Sequence, residues 1–122
     1  MITIIDLAID NAVAFSCEGK VSKADMEQIL SLAKEKIAQY GDIVLYYEFL
    51  SFSGVEMAAI AEEFKFIKEI GLSHIKKVAV ITDKKWVEVI VKLENTIFRS
   101  IDMKSFSTDE KSAAIDFIKI SQ

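Results

Sequence analysis

The sequence predicts an α/β fold: a single domain over residues 1–122, with a mostly parallel five-stranded sheet and the element order ββαβαβαβα. Apolar runs typical of strands alternate with segments of helical periodicity, which favours parallel strands joined by right-handed crossovers. The first two strands follow each other without a helix, and this predicts an antiparallel N-terminal hairpin strand. No linker or repeat divides the 122 residues, of which 52% are hydrophobic, so we expect one buried core.

The composition excludes several classes of partner and site. With 15 basic and 19 acidic residues, the net charge of -4 argues against a nucleic-acid partner. One Cys, one His and four Gly exclude a disulfide framework, a site with several histidine ligands and a phosphate-binding loop. We therefore expect no cofactor and no metal. No apolar run approaches the roughly 20 residues of a membrane span, and residues 1–9 lack the basic region of a signal peptide, so we expect a cytoplasmic protein that is not membrane-spanning.

The N-terminal third contains the hairpin and the clearest helix. Residues 2–9 and 12–17 are apolar runs separated by an Asp-Asn pair, which favours a β-hairpin. Ser22 and Asp25 resemble a capping box that opens the first helix, and Gly41 ends it.

In the centre of the chain, the sequence pattern predicts a buried strand, a turn and a second helix. Residues 43–49 form a nearly continuous apolar run, which indicates a strand covered on both faces. Residues 51–54 are predicted to form a turn, and a helix is predicted over residues 55–70. The apolar stripe of this helix covers about half of its circumference, which is wider than packing on one sheet requires.

The members of that stripe fall into two groups. The residues at the spacing of a core face are Met57, Ile60, Ala61, Phe64 and Ile67. Ala59, Phe66 and Ile70 lie off that face, and contiguous exposed apolar surface usually marks a partner or a ligand groove. We interpret them as a surface for self-association, or as part of a cleft between the second and third helices. Packing between helices inside the domain is the alternative.

In the last third of the chain, the sequence pattern predicts two further strands and two further helices. Residues 78–81 indicate a short buried strand, and Asp83 can cap a third helix that runs through residue 98. Residues 101–106 indicate an edge strand. Ser107 and Glu110 form a second capping box, which opens a last helix through residue 120.

The element order and three stretches of sequence resemble the SpoIIAA-like superfamily, whose members include the STAS domains of anti-sigma-factor antagonists. The stretch VAVITDKKW, residues 78–86, resembles the fourth strand and following turn of an uncharacterised bacterial branch of that group. The stretch IVLYYEFLSFSG, residues 43–54, resembles the third strand and its turn, and the hairpin end EGK, residues 18–20, matches the second strand running into the first helix. The resemblance covers essentially the whole chain and implies a small cytoplasmic binding domain, not an enzyme.

The resemblance also implies a position for regulation. In the antagonists, a partner kinase phosphorylates a serine in the turn after the third strand, and the phosphate controls partner binding. The corresponding segment of this chain holds Ser51 and Ser53, and Ser53 directly precedes Gly54. The Asp-Ser-Ser-Gly pattern of the antagonists is absent, because Phe52 precedes Ser53. The superfamily also includes lipid-carrying domains of the CRAL-TRIO type, which implies an apolar ligand as a second possibility.

Ligands of a parallel α/β sheet usually bind beyond the carboxyl ends of the strands. In the predicted topology those ends hold Glu48, Ser51, Ser53, Thr82, Asp83, Lys84, Lys85 and Trp86. Lys84 and Lys85 fall in the first turn of the predicted third helix. Together with the backbone N–H groups there they attract an anion, or they are solvated lysines whose charge Asp83 offsets. Asp83 itself fits an N-cap better than a catalytic acid, and Trp86 fits a core anchor better than a lid over a ligand.

Glu48 closes an otherwise apolar run. A buried Glu48 could act as an acid or a base, whereas at a strand end it would contact water or a lysine. No second carboxylate or histidine at a readable spacing joins it, so we expect no catalytic residue.

These observations lead to two main hypotheses. In the first, the chain is a non-catalytic binding module that docks a protein partner, or a second copy in a homodimer, through the segment from Ser51 to Gly54 and the second helix. In the alternative, it carries a small lipid-like or amphipathic ligand, with the tail in a cleft between the second and third helices and the acidic head near Lys84 and Lys85. An enzyme that acts through Glu48 or Asp83 is a third hypothesis.

Overall fold

The structure is a computed structural model that describes residues 2–71, 73–82 and 101–119, and the side chains of residues 50–55, 60, 64 and 67 lie outside the description. Five strands and three helices lie in these ranges. In chain order they are β1 (Ile2–Ile5), β2 (Ala12–Val21), α1 (Lys23–Tyr40), β3 (Ile43–Val55), α2 (Met57–Ile70), β4 (Ile75–Thr82), β5 (Asp102–Phe106) and α3 (Lys111–Lys119). The predicted third helix, residues 83–98, falls outside the described residues.

The five strands form one sheet in the order β1-β2-β3-β4-β5. β1 is antiparallel to β2, and every later pair is parallel. This confirms the predicted α/β fold with a mostly parallel sheet and an antiparallel N-terminal strand. Because the strand order follows the chain order, right-handed crossovers place α1 and α2 on the same face of the sheet. Helix α3 follows β5 and packs against the other face.

The two faces of the sheet support two hydrophobic clusters, because successive side chains of a strand point to opposite faces. The larger cluster lies between the sheet and the pair α1–α2, and its buried members include Val13, Phe15, Ile29, Leu45 and Phe66. The smaller cluster lies between the sheet and α3, and its buried members include Val44, Tyr46, Ile81, Phe106 and Ile118.

Helix α1 is capped as predicted. The Ser22 hydroxyl accepts a hydrogen bond from the Asp25 N–H at 3.1 Å, and the Asp25 carboxylate accepts one from the Ser22 N–H at 3.0 Å. At the other end, Gly41 has φ 86° and its N–H donates to the Ile37 carbonyl at 2.8 Å. A positive φ at this position is what favours glycine after a helix.

The predicted turn at residues 51–54 is wrong. Strand β3 continues through Val55, because the second half of β2 pairs with it and places Glu18 opposite Ser51 and Lys20 opposite Gly54. Two register shifts interrupt this pairing on either side of residues 18–19, as at β-bulges. Long-range backbone hydrogen bonding therefore overrides the local preference of serine and glycine for turns.

Other element boundaries also differ from the predictions. Strand β1 ends at Ile5, and α2 begins at Met57 instead of residue 55. The predicted box at Ser107 and Glu110 does form contacts, since the Ser107 N–H donates to the Glu110 carboxylate at 2.9 Å. These contacts close a turn, however, and α3 begins only at Lys111.

Candidate functional site

Glu48 lies in the middle of a central strand instead of at its end. It stands opposite Ser16 of β2 and Ile81 of β4, on the face of the sheet that α3 covers. Tyr46, two residues earlier on the same strand, points to the same face. Glu48 is only 8% exposed, so the local surroundings of its carboxylate decide its role.

Both carboxylate oxygens of Glu48 have a donor. The Tyr46 hydroxyl donates to Oε2 at 2.7 Å, and the Lys111 ammonium approaches Oε1 at 3.4 Å. Burial, reinforced by the hydrogen bond to Glu48, raises the pKa of Tyr46, so the phenol remains a proton donor at neutral pH. Glu48 is thus both buried and paired with a lysine, and the contact joins β3 to the first turn of α3. Removal of Lys111 would leave this buried carboxylate without a counter-charge, which is costly.

Ser51, Ser53 and Gly54 occupy the final part of β3, beyond Phe49, the last β3 residue that pairs with β4. In the described part of the chain this end of β3 pairs with β2 alone. Glu56 follows directly, and its carboxylate accepts a hydrogen bond from the Lys23 N–H at 3.2 Å. The segment that the resemblance assigns to regulation therefore ends where α1 and α2 both begin.

The first two turns of α2 expose apolar side chains at this same place. Met57 is 81% exposed, and Ala58 and Ala61 are also exposed. We call Met57, Ala58 and Ala61 the junction surface. The sequence prediction assigned Met57 and Ala61 to the core face of the second helix, and that assignment is wrong. The exposure of Met57 was missed because the wide apolar stripe did not reveal which of its edges faces the core.

The predicted exposed surface of Ala59, Phe66 and Ile70 is also wrong. Ala59 is 0% and Phe66 3% exposed, and Ile70 packs partly buried against the same cluster. Ile29 and Ala33 of α1 belong to that cluster, because α1 lies beside α2. Helix α2 needs a broad apolar stripe since it contacts both the sheet and α1, which was the alternative interpretation.

An open groove of about 280 Å³ runs between α1 and α2. Lys34 and Glu69 form an ion pair of 3.3 Å across it. Its other charged lining residues are Glu27, Glu62 and Lys65, above Leu30 and Phe66. This groove is mostly charged and lies between the first two helices, so it is not the apolar cleft that the carrier hypothesis requires.

Four predicted site residues fall outside the described residues, namely Asp83, Lys84, Lys85 and Trp86. The anion site and the cleft between the second and third predicted helices depend on them and their neighbours. Both ideas, and with them the carrier of a lipid-like ligand, stay predictions that native mass spectrometry of the purified protein can test.

Cys17 is buried and has no disulfide partner. Burial raises the pKa of its thiol to about 11, so the protonated and unreactive form dominates at neutral pH. Within the described ranges, no three residues among His, Cys, Asp and Glu are grouped so that they could hold a metal ion. The helices of those ranges are also too short or too polar to cross a membrane.

Comparisons with known proteins point to one fold family. The model of the SpoIIAA-like family matches residues 12–119 of the chain. Among solved structures, the chain is similar to an uncharacterised protein of the DUF3478 family with a SpoIIAA-like fold from Shewanella loihica PV-4. The two sequences are 26% identical, with a TM-score of 0.72 over 97% of this chain and 92% of the other. No curated protein matches the chain.

Proposed function

The chain belongs to the SpoIIAA-like family, and from that premise we propose that it is a non-catalytic, cytoplasmic binding module that docks a protein partner in regulation. The junction surface is the proposed docking site. It directly follows the segment with Ser51 and Ser53, where the resemblance to anti-sigma-factor antagonists implies control by phosphorylation.

The exposure of Met57 is the observation that carries this proposal. A methionine that is 81% exposed leaves apolar area in water, and its complete burial contributes about 1.5–3 kcal/mol to an interface. Ala58 and Ala61 extend the same surface along α2 with small side chains. A flexible thioether beside small residues adapts readily to the shape of a partner.

Charges of both signs border the junction surface: Glu56 directly precedes it and Glu63 lies two residues beyond it, and both residues are exposed. Lys65 lies one turn beyond Ala61, and Lys68 follows at helical spacing; both are exposed. The Lys65 ammonium lies 3.8 Å from the Glu62 carboxylate. We expect a partner segment that places an apolar side chain on Met57, with charged side chains of both signs around it.

The state of Glu48 supports a non-catalytic role. An acid or base in catalysis needs access to the proton that it transfers. The Glu48 carboxylate is instead occupied by Tyr46 and Lys111, and its side chain is only 11% exposed.

Affinity purification from cells of the source organism tests the docking site. Tagged wild-type protein and the variant Met57→Asp are compared by quantitative mass spectrometry of the captured proteins. Tyr40→Asp is the matched control, because Tyr40 is a large apolar side chain that is 43% exposed and lies at the end of α1 far from the junction surface.

We expect Met57→Asp to reduce capture of a partner at least tenfold, while Tyr40→Asp captures it as the wild type does. Light scattering during size-exclusion chromatography identifies the case in which the partner is a second copy. Equal capture by all three proteins, each shown to be folded by circular dichroism, would rule out the junction surface as the docking site.

A further inference from the structure

Helix α3 covers one face of the sheet while burying little of itself. Of its nine residues, only Ala114 and Ile118 are buried, and Ile115 and Phe117 are partly buried. An isolated helix of this length is not stable in water. The helix therefore depends on its attachments to the sheet.

Two lysine contacts reinforce the apolar packing, one near each end of α3. At the first residue of the helix, Lys111 pairs with Glu48 of β3 at 3.4 Å. Near the last turn, the Lys77 ammonium of β4 lies 4.4 Å from the centre of the Phe117 ring. The second contact holds an aromatic ring, but the first determines whether a buried carboxylate has a counter-charge.

The position of Lys111 is unfavourable for the helix by itself. It lies in the first turn, where the helix dipole disfavours a positive charge. The contact with Glu48 explains why a lysine stands at this position. Glu48 is 8% exposed, and a buried carboxylate without a cation is costly. When α3 lies on the sheet, Glu48 needs Lys111; when α3 lifts, water can take the place of the lysine.

The layer beneath α3 is the weaker of the two. Its cluster has nine buried residues among those described, whereas the cluster under α1 and α2 has fourteen. Lifting α3 uncovers an apolar strip of the sheet that includes Val44, Ala79, Ile81 and Phe106. Local opening generally starts where the buried apolar contacts are fewest.

We propose that α3 is a releasable cover of this sheet face and that the contact between Lys111 and Glu48 is the latch that keeps it closed. Loss of the charge on Lys111 shifts the equilibrium toward the open state, because only the open state hydrates Glu48. The side chain of Lys111 is 45% exposed, so its ammonium is accessible from solvent while it contacts Glu48. The latch lies on the face of the sheet opposite to α2, so this proposal and the docking site fail separately.

Hydrogen exchange of the whole protein, followed by mass spectrometry, tests the latch. In Lys111→Gln we expect the amides of α3 to exchange about tenfold faster than in the wild type, while the amides of α1 keep their rates. Lys119→Gln is the matched control, because it removes an exposed lysine from the same helix. Glu48→Gln combined with Lys111→Gln is expected to restore slow exchange, since a buried amide needs no counter-charge.

Two results would overturn the proposal. One is an α3 exchange rate in Lys111→Gln that equals or falls below the wild-type rate, as the helix dipole alone predicts. The other is exchange of the wild-type α3 amides only at the rate of the β3 amides, which would mean that α3 opens only when the whole protein unfolds.

Discussion

Ala8 holds a strained backbone conformation in the connection between β1 and β2. Its φ is 58°, in the left-handed region where a Cβ atom costs about 1–2 kcal/mol. The Ala8 N–H donates to the Asp6 carboxylate at 2.8 Å, and this contact helps to hold the loop in that conformation. Glycine adopts the same conformation without the steric cost.

Ala8→Gly is therefore expected to raise the free energy of unfolding by about 0.5 kcal/mol, because the relief of strain exceeds the added freedom of glycine in the unfolded chain. Urea denaturation measures the change. Ala24→Gly, on the exposed side of α1, is the matched control and should lose about 1 kcal/mol. The strain argument is wrong if the two substitutions destabilise the protein equally.

Glu48 illustrates what a sequence leaves open about a single residue. A lone carboxylate at the end of an apolar run suggested either burial or a lysine neighbour, and the structure has both. The lysine comes from a helix 63 residues later in the chain. No local pattern around residues 43–49 identifies that partner, because it depends on where α3 packs.

At the scale of secondary structure, the sequence predicted correctly the element boundaries that local contacts determine. The limits of α1 could be predicted, because Ser22, Asp25 and Gly41 act through hydrogen bonds within the helix ends. The end of β3 could not be predicted in this way, because pairing with β2 holds its last residues in the sheet. Serine and glycine favour a turn only when no neighbouring strand extends alongside them.

The prediction of which side chains α2 buries was wrong for a related reason. A sheet and a second helix together cover about half of a helix surface, so a stripe of that width does not show which edge is exposed. The structure buries Phe66 at one edge and exposes Met57 at the other. The sequence therefore predicted exposed apolar side chains on this helix, but none of the three residues that it named for them is among those that the structure exposes.

Phe66 belongs to the packing between α1 and α2, and its contribution to stability can be tested. Phe66→Ala is expected to lower the free energy of unfolding by about 3–4 kcal/mol, because it removes a buried ring and leaves a cavity. Met57→Ala, on the same helix but exposed, should change it by less than about 0.5 kcal/mol. Urea denaturation of both variants checks the pair, and a loss below about 1 kcal/mol for Phe66→Ala would contradict the packing described above.

At the scale of the whole molecule, the sheet topology could be predicted because it follows from the order of elements and the handedness of crossovers. The same topology places the N-termini of two helices at one edge of the sheet. Helix α1 begins beyond the carboxyl end of β2, and α3 begins beyond the carboxyl end of β5. Carboxylates stabilise the start of α1 and the turn that precedes α3, so we expect acid to act on this edge of the molecule.

The direction of the acid effect follows from three lowered pKa values. The Ser22 backbone N–H lowers the pKa of Asp25, the Ser107 hydroxyl lowers that of Asp109, and the Ser107 backbone N–H lowers that of Glu110. A carboxyl group whose pKa is lower in the folded state contributes stability above its ordinary pKa of about 4. That contribution is lost as the pH falls through the folded-state pKa.

Asp25→Asn separates this effect from general acid unfolding. At pH 6 we expect the variant to be less stable than the wild type by about 0.5 kcal/mol, because a carboxylate at a helix start is favourable and an amide is not. At pH 3 the difference should shrink, because protonation makes Asp25 resemble asparagine. Urea midpoints at both pH values give the measurement, with Ser31→Ala, an exposed α1 position, as a control whose effect should not depend on pH. If the difference for Asp25→Asn is the same at pH 6 and pH 3, the carboxylate of Asp25 does not stabilise the start of α1.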